Sequence, residues 1–144
     1  MTIRPRAVRA LRDARTRLRD AAAASHAQAA AVREGAHLQL VREHEALEQY
    51  LDDAAGELSA ARTVHDLDRV AESTGVYRLV IADAAARHDE AHAAAELAAD
   101  KLRDRARALR RAEKLEEHVA EHRARSEAKA EQRATDDLIS ARRK

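Results

Sequence analysis

Leu67, Thr74, Ile81, His88, Ala95, Leu102 and Leu109 recur at strict intervals of seven, and a companion series runs three places behind them. That companion is Val70, Tyr77, Ala84, Ala91, Ala98, Arg105, Ala112 and Val119. Such a pattern, held for more than seven heptads, is the seam of a long helix lying against another helix. It runs through Ser73-Thr74-Gly75 without shifting, so this triplet reads as a weak spot within a helix and not as a turn. One glycine there costs about 1 kcal/mol relative to alanine, which a long helix tolerates.

The first half carries a seam of its own. Val8, Ala22, Ala29 and Ala36 repeat with Leu11, Leu18 and Val32, and Leu40, Leu47 and Ala54 then take over with Leu51 and Leu58. The phase slips by one near Ala36, as expected of a straight helix with 3.6 residues per turn. Pro5 stands where a first-turn proline is tolerated.

Composition removes most alternatives. Of 144 residues, 37 are alanine, and only 28 are Leu, Val, Ile, Met or Tyr, with no Phe, Trp or Cys. Alanine cannot fill the interior of a compact single-core enzyme of this length. Three glycines and one proline argue against a turn-rich β chain. Ala, Glu, Lys, Leu and Arg supply 92 residues, the usage of long helices and coiled coils. Disorder is the rival reading, since Leu, Ile and Val total only 25. The near-zero net charge of +1 and the apolar period favour helix. No apolar run approaches a membrane span, the first residues lack a signal-peptide core, and the absence of cysteine excludes thiol chemistry. The cytoplasm is the expected compartment.

The two registers meet between Leu58 and Leu67. Thr63-Val-His-Asp66 reads as a capping box, in which the hydroxyl accepts from a freed amide and the carboxylate reaches back. The expected fold is therefore all-α: a long antiparallel two-helix coiled-coil hairpin. Helix one covers about 5–61, the turn about 60–63, and helix two about 64–140, all within a single unit of residues 1–144. Residue i should face roughly 125 minus i, which places Leu58 near Leu67, Leu47 near Tyr77 and Leu11 near Leu115. Alanines 27, 29, 30 and 31 should face Ala94, Ala95 and Ala98. The second helix overhangs, and residues beyond about Glu121 have no partner inside the hairpin. A polar helix of that kind frays alone and orders on a partner.

Charge is unevenly spread. Residues 1–20 carry seven basic against two acidic groups and residues 101–144 fourteen against nine, each a balance of +5. Residues 21–100 carry six against fifteen, a balance of −9. A hairpin brings the two basic blocks to one end, suited to steering an acidic partner. A two-helix rod offers no concave site for catalysis, so no catalytic residue is expected. His88/His92 and His118/His122 each place two imidazoles at i,i+4, but Asp89 and Val119 stand where a zinc-protease motif needs glutamate. No third ligand is evident from the sequence, and the expectation is no metal and no cofactor. Acids interleaved after residue 110 and the lack of stacking aromatics argue against nucleic acid. A bulkier apolar face would be needed to bind a membrane surface.

At the C-terminal segment the chain becomes similar to a known family. Glu113-Lys-Leu115, Glu121-His-Arg123 and Arg125-Ser-Glu-Ala-Lys-Ala-Glu131-Gln132-Arg133-Ala-Thr-Asp136-Asp137 resemble the end of the flagellar FliJ family and its YscO-type (SctO) counterparts in type III secretion. Those proteins end in a charged helix bearing Glu-Gln-Lys/Arg, two residues, then Asp-Glu or similar. Asp137 stands where Glu is more usual, and the family's common N-terminal aromatic is missing. Length, hairpin and overhang also fit.

The resemblance implies a cytoplasmic, non-enzymatic stalk peripheral to the membrane-embedded secretion apparatus. Its joined termini would enter the pore of a hexameric export ATPase, and its hairpin side would reach the cytoplasmic ring of the export gate. The implied ring contacts are Arg4, Arg6, Arg9, Arg12, Arg123, Arg125, Glu131, Gln132 and Arg133. By spacing, the gate patch falls on Tyr77, Ile81, Ala84 and His88, which also lie on the seam. The resemblance leaves escort of substrate chaperones open. The expected state in isolation is a monomer. The alternatives are a structural scaffold or a hairpin dimerised into a four-helix bundle and, ranked last, a helix pair that binds nucleic acid.

Overall fold

The computed structural model describes residues 5–60 and 63–142. They form two long helices, α1 (Pro5–Ala60) and α2 (Val64–Arg142), which pack against each other as an all-α hairpin. No strand occurs among the described residues. Pro5 opens α1, where its missing N–H is one of the four that a helix start leaves unbonded anyway. The expected turn at about 60–63 falls largely on residues 61 and 62, outside the described residues.

The start of α2 is fixed locally. The Asp66 amide donates to the Thr63 hydroxyl at 3.3 Å and to the Thr63 carbonyl at 3.2 Å. The Thr63 hydroxyl donates in turn to Asp66 Oδ2 at 2.7 Å. This closes the capping box, with the carboxylate reaching the side chain of the capping residue. α2 then runs unbroken through Ser73-Thr74-Gly75. Thr74 disposes of its hydroxyl by donating to the Val70 carbonyl at 2.8 Å, which leaves its methyl group for the seam.

Contacts divide the chain into two units. Unit one contains residues 1–23 and 101–144, and unit two contains residues 24–100. In unit two the buried residues are Ala54, Ala84, Ala91, Ala95 and Ala98. The expected alanine seam of α2 is thus the core of this unit. Along α1, His26, Ala29, Arg33, Ala36, Leu40, Glu43, Leu47, Tyr50 and Ala54 are all buried or half-buried. Their spacing alternates between three and four without a break.

The phase slip expected near Ala36 is therefore absent. The buried positions keep a mean spacing of 3.5 residues, the period that a supercoiled helix pair sustains without drift. The expected companion Val32 is 58% exposed and lies outside the seam. Leu51 and Leu67 also lie outside it, at 44% and 51%, and the side chain of Leu58 is not among those described. Tyr77 was expected against Leu47. Its ring packs on Tyr50, one turn beyond Leu47, with ring centroids 5.1 Å apart. Two tyrosines gain from a tilted ring contact as well as from apolar burial.

Unit one has a smaller core of Val8, Leu109 and Ala112. Its α1 seam continues with Arg12, Arg15, Arg19 and Ala22, while the expected seam residues Leu11 and Leu18 are exposed. Arginine can occupy such a position because its methylene stem covers apolar surface while its head reaches solvent or a carboxylate. On α2, Leu115, Glu116 and Val119 are half-buried, and every described side chain from Ala120 to Ala141 is exposed. The overhanging end of α2 accordingly has no packing partner among the described residues of this unit.

Candidate functional site

The two units coincide with the charge blocks. Unit one carries 21 basic and 11 acidic residues, a balance of +10, and unit two carries 6 and 15, a balance of −9. The positive excess of unit one lies in its packed part. Residues 5–23 and 101–119 hold 13 basic and 6 acidic groups, whereas residues 120–141 hold 4 and 5. The overhang is therefore a balanced polyampholyte, and the basic character belongs to the helix pair beside it.

Some of the expected ring contacts are engaged inside unit one. Arg12 Nη1 donates to Glu116 Oε2 at 2.9 Å across the two helices, and Arg9 Nε lies 3.6 Å from Glu116 Oε1. Arg12 also donates to Asp13 at 2.9 Å. Its guanidinium is held above its ordinary pKa, first by the hydrogen bond to Asp13 and then by the charge of Glu116. Glu116 thus draws two N-terminal arginines onto α2.

In the overhang, Arg123 donates to Glu127 at 2.7 Å and Arg125 to Glu121 at 3.3 Å, both along the helix. The bond to Glu127 raises the Arg123 pKa. Such i,i+4 pairs support a helix that has no neighbour, and they exchange readily for a partner's charges. Arg6, Glu131, Gln132 and Arg133 are exposed, and Arg4 lies outside the described residues.

The four residues expected at the export gate face inward. Ala84 is buried, Tyr77 is stacked on Tyr50, and Ile81 and His88 are half-buried. Their exposed neighbours on the same stretch are Val76 (61%), Leu79 (73%) and Val80. The seam reading passed over these three because they are off the heptad positions. Their signal is apolar bulk on a helix face that an isolated hairpin leaves to solvent.

The histidines also gather in unit two. His88 and His92 stack with centroids 6.4 Å apart and planes 3° from parallel. His37, on α1, lies 5.7 Å from His88. Asp89 Oδ1 is 3.4 Å from His88 Nδ1. As the side chains stand, no group of three or more His, Cys, Asp or Glu among the described residues is arranged to hold a metal ion. Among those residues, no helix is long and apolar enough to cross a membrane. No family model, curated protein or solved structure matches the chain significantly.

Proposed function

We propose that the chain is a non-enzymatic stalk of a type III export ATPase complex. The reading joins the C-terminal resemblance to one structural observation: the bare, charged end of α2 from Ala120 to Ala141. A polar helix of 22 residues without a neighbour has little to hold it except its own ion pairs. It gains most by ordering against a surface lined with complementary charge.

In this reading the bare end and the adjoining basic helix pair enter the hexameric ATPase ring. Among the described residues, Arg6 and Arg133 are the exposed arginines of the expected contact set without an ion pair, while Arg9, Arg12, Arg123 and Arg125 exchange partners on docking. A stalk seated off-centre biases neighbouring subunits toward different conformations, which couples it to turnover. On the gate side, Val76, Leu79 and Val80 are the apolar side chains a partner would meet. Tyr77, Ile81, Ala84 and His88 hold the helix that presents them.

The test is co-purification with the cognate export ATPase and measurement of its stimulation. Ending the chain at Ala120 should abolish both and leave the unfolding free energy unchanged to within about 0.5 kcal/mol, as for other unpacked surface. Full binding and stimulation by the shortened chain would refute the assignment.

A second reading, self-association, is favoured by Leu11 and Leu18. Both are exposed at successive heptads beside Ala7 and Ala14, which makes an apolar stripe next to the seam of unit one. A dimer in light scattering that is lost on Leu11→Glu would select this reading.

A further inference from the structure

We propose that two copies of this chain pair through α1, antiparallel, with unit one of each against unit two of the other. The pairing rests on the self-association reading above, to which it adds a partner surface and a direction. α1 carries a second heptad register beside the buried one. In unit one it comprises Ala7, Leu11, Ala14, Leu18 and Ala21. In unit two it continues as Ser25, Gln28, Val32, Gly35 and Gln39. The spacing alternates between four and three throughout, as at the a and d positions of a coiled coil. Each residue stands one place before a buried or half-buried one, from Val8 and Arg12 to Ala36 and Leu40. One residue turns a helix by about 100°, so this register faces away from α2. All of these positions are exposed, Leu11 at 40%, Leu18 at 43% and Val32 at 58%. None is charged in a chain that is 37% charged, and from Ala7 the register first meets a charge at Arg42. A solvated face collects charged residues, whereas an uncharged one at this spacing suits another helix.

Charge and size both select a second, reversed copy as the occupant. Between antiparallel copies, every position of the register finds a partner when residue i faces residue 46 minus i, centred on Ala23. Ala23 is also the last residue of α1 in unit one. Each pair therefore joins unit one of one copy, of balance +10, to unit two of the other, of balance −9. A parallel pair would set like charge on like in both units, which costs several kcal/mol in related interfaces. In the antiparallel register Leu11 falls against the partner's Gly35, and Ala14 against the partner's Val32, bulky on small. A Cβ at Gly35 meets nothing within 4 Å in the single chain, so that position is open to the partner's Leu11. Leu18 meets the partner's Gln28, whose amide reaches past it to solvent, and Ala21 meets the partner's Ser25.

The experiment is sedimentation equilibrium of the full chain at low and high salt. A dimer is expected at low salt, with a dissociation constant that rises as salt screens the opposed charges. Gly35→Arg puts a charge where the partner's Leu11 sits and should raise that constant about tenfold or more, as at a central interface contact. In dilute, monomeric solution its helical content and melting midpoint should be no lower than the parent's, since arginine is the better helix former and the new Cβ meets no neighbour. The chain has no cysteine, so single cysteines report the direction. Copies bearing Ala14→Cys mixed with copies bearing Val32→Cys should join through a disulfide on mild oxidation, and Ala14→Cys copies alone should not. If Leu11→Glu dissociates the dimer but Gly35→Arg does not, or if Ala14→Cys copies link to each other, self-association stands and the antiparallel pairing falls. A monomer at every concentration overturns both.

Discussion

Replacing glycine by alanine inside a helix tests the continuity of α2 directly. Gly75 follows Ser73-Thr74, three residues of low helix propensity in a row, and lies within Val64–Arg142. None of the glycines has a positive φ. A Cβ added at Gly35 or at Gly75 meets nothing within 4 Å. The substitution therefore brings no clash and no strain, and only the helix-propensity difference of about 0.8–1 kcal/mol is left. Gly35→Ala and Gly75→Ala should each stabilise by that amount, and the pair by just under 2 kcal/mol, since the sites share no contact. For a chain of this length each gain moves the melting midpoint by about 3–4 °C, readable from ellipticity at a helix wavelength. Gly75→Pro is the control: it should cost about 2 kcal/mol relative to glycine, because proline lacks the amide and clashes with the preceding turn. If Gly75→Ala lowers the midpoint while Gly75→Pro is tolerated, the chain turns at that triplet and the hairpin is drawn in the wrong place.

Ala95 is 4% exposed in the alanine seam, and Ala95→Leu should destabilise by about 1–3 kcal/mol in denaturant titration, because the close approach of the helices leaves no room for a larger side chain. Tyr77→Leu keeps the apolar area but forfeits the ring contact with Tyr50, and should cost about 0.5–1.5 kcal/mol in the same titration. Arg12→Glu should lower the melting midpoint by setting three carboxylates together at Asp13, Glu116 and the new side chain. Adding Glu116→Arg should restore part of the loss, and strict additivity of the two changes would show that the cross-helix pair contributes nothing.

The fold was legible because a seven-residue repeat has few structural meanings. The α2 series Ala84, Ala91, Ala95 and Ala98 is the core of unit two, and Thr63 with Asp66 caps the helix after the turn. The α1 seam was misread where side-chain size was taken as the guide. Leu11, Leu18 and Val32 are the bulky residues, but the continuous register buries Arg12, Arg19 and Arg33 in part instead. Packing follows the period that both helices can share, and a long cationic stem satisfies it at the edge. The inward placement of Tyr77, Ile81, Ala84 and His88 has the same origin, since a heptad position is where a partner is least able to reach. His37 was within reach of the sequence, because the pairing rule that sets residue i against 125 minus i places it opposite His88. The sequence reading placed residues 1–144 in a single unit; the boundaries of the two units differ from those of the charge blocks by three alanines.

An alanine face, such as α2 presents in unit two, has little by itself to tell one alignment from the next. Burying a methyl group fixes no rotamer, so Ala91, Ala95 and Ala98 leave the alignment to the larger side chains of the α1 seam, among them Arg33, Leu40, Leu47 and Tyr50. Within unit two the Tyr50–Tyr77 and His37–His88 contacts are further notches that single out one setting. A load along one helix would have to unseat all of these side chains before that strand of the hairpin moved past the other.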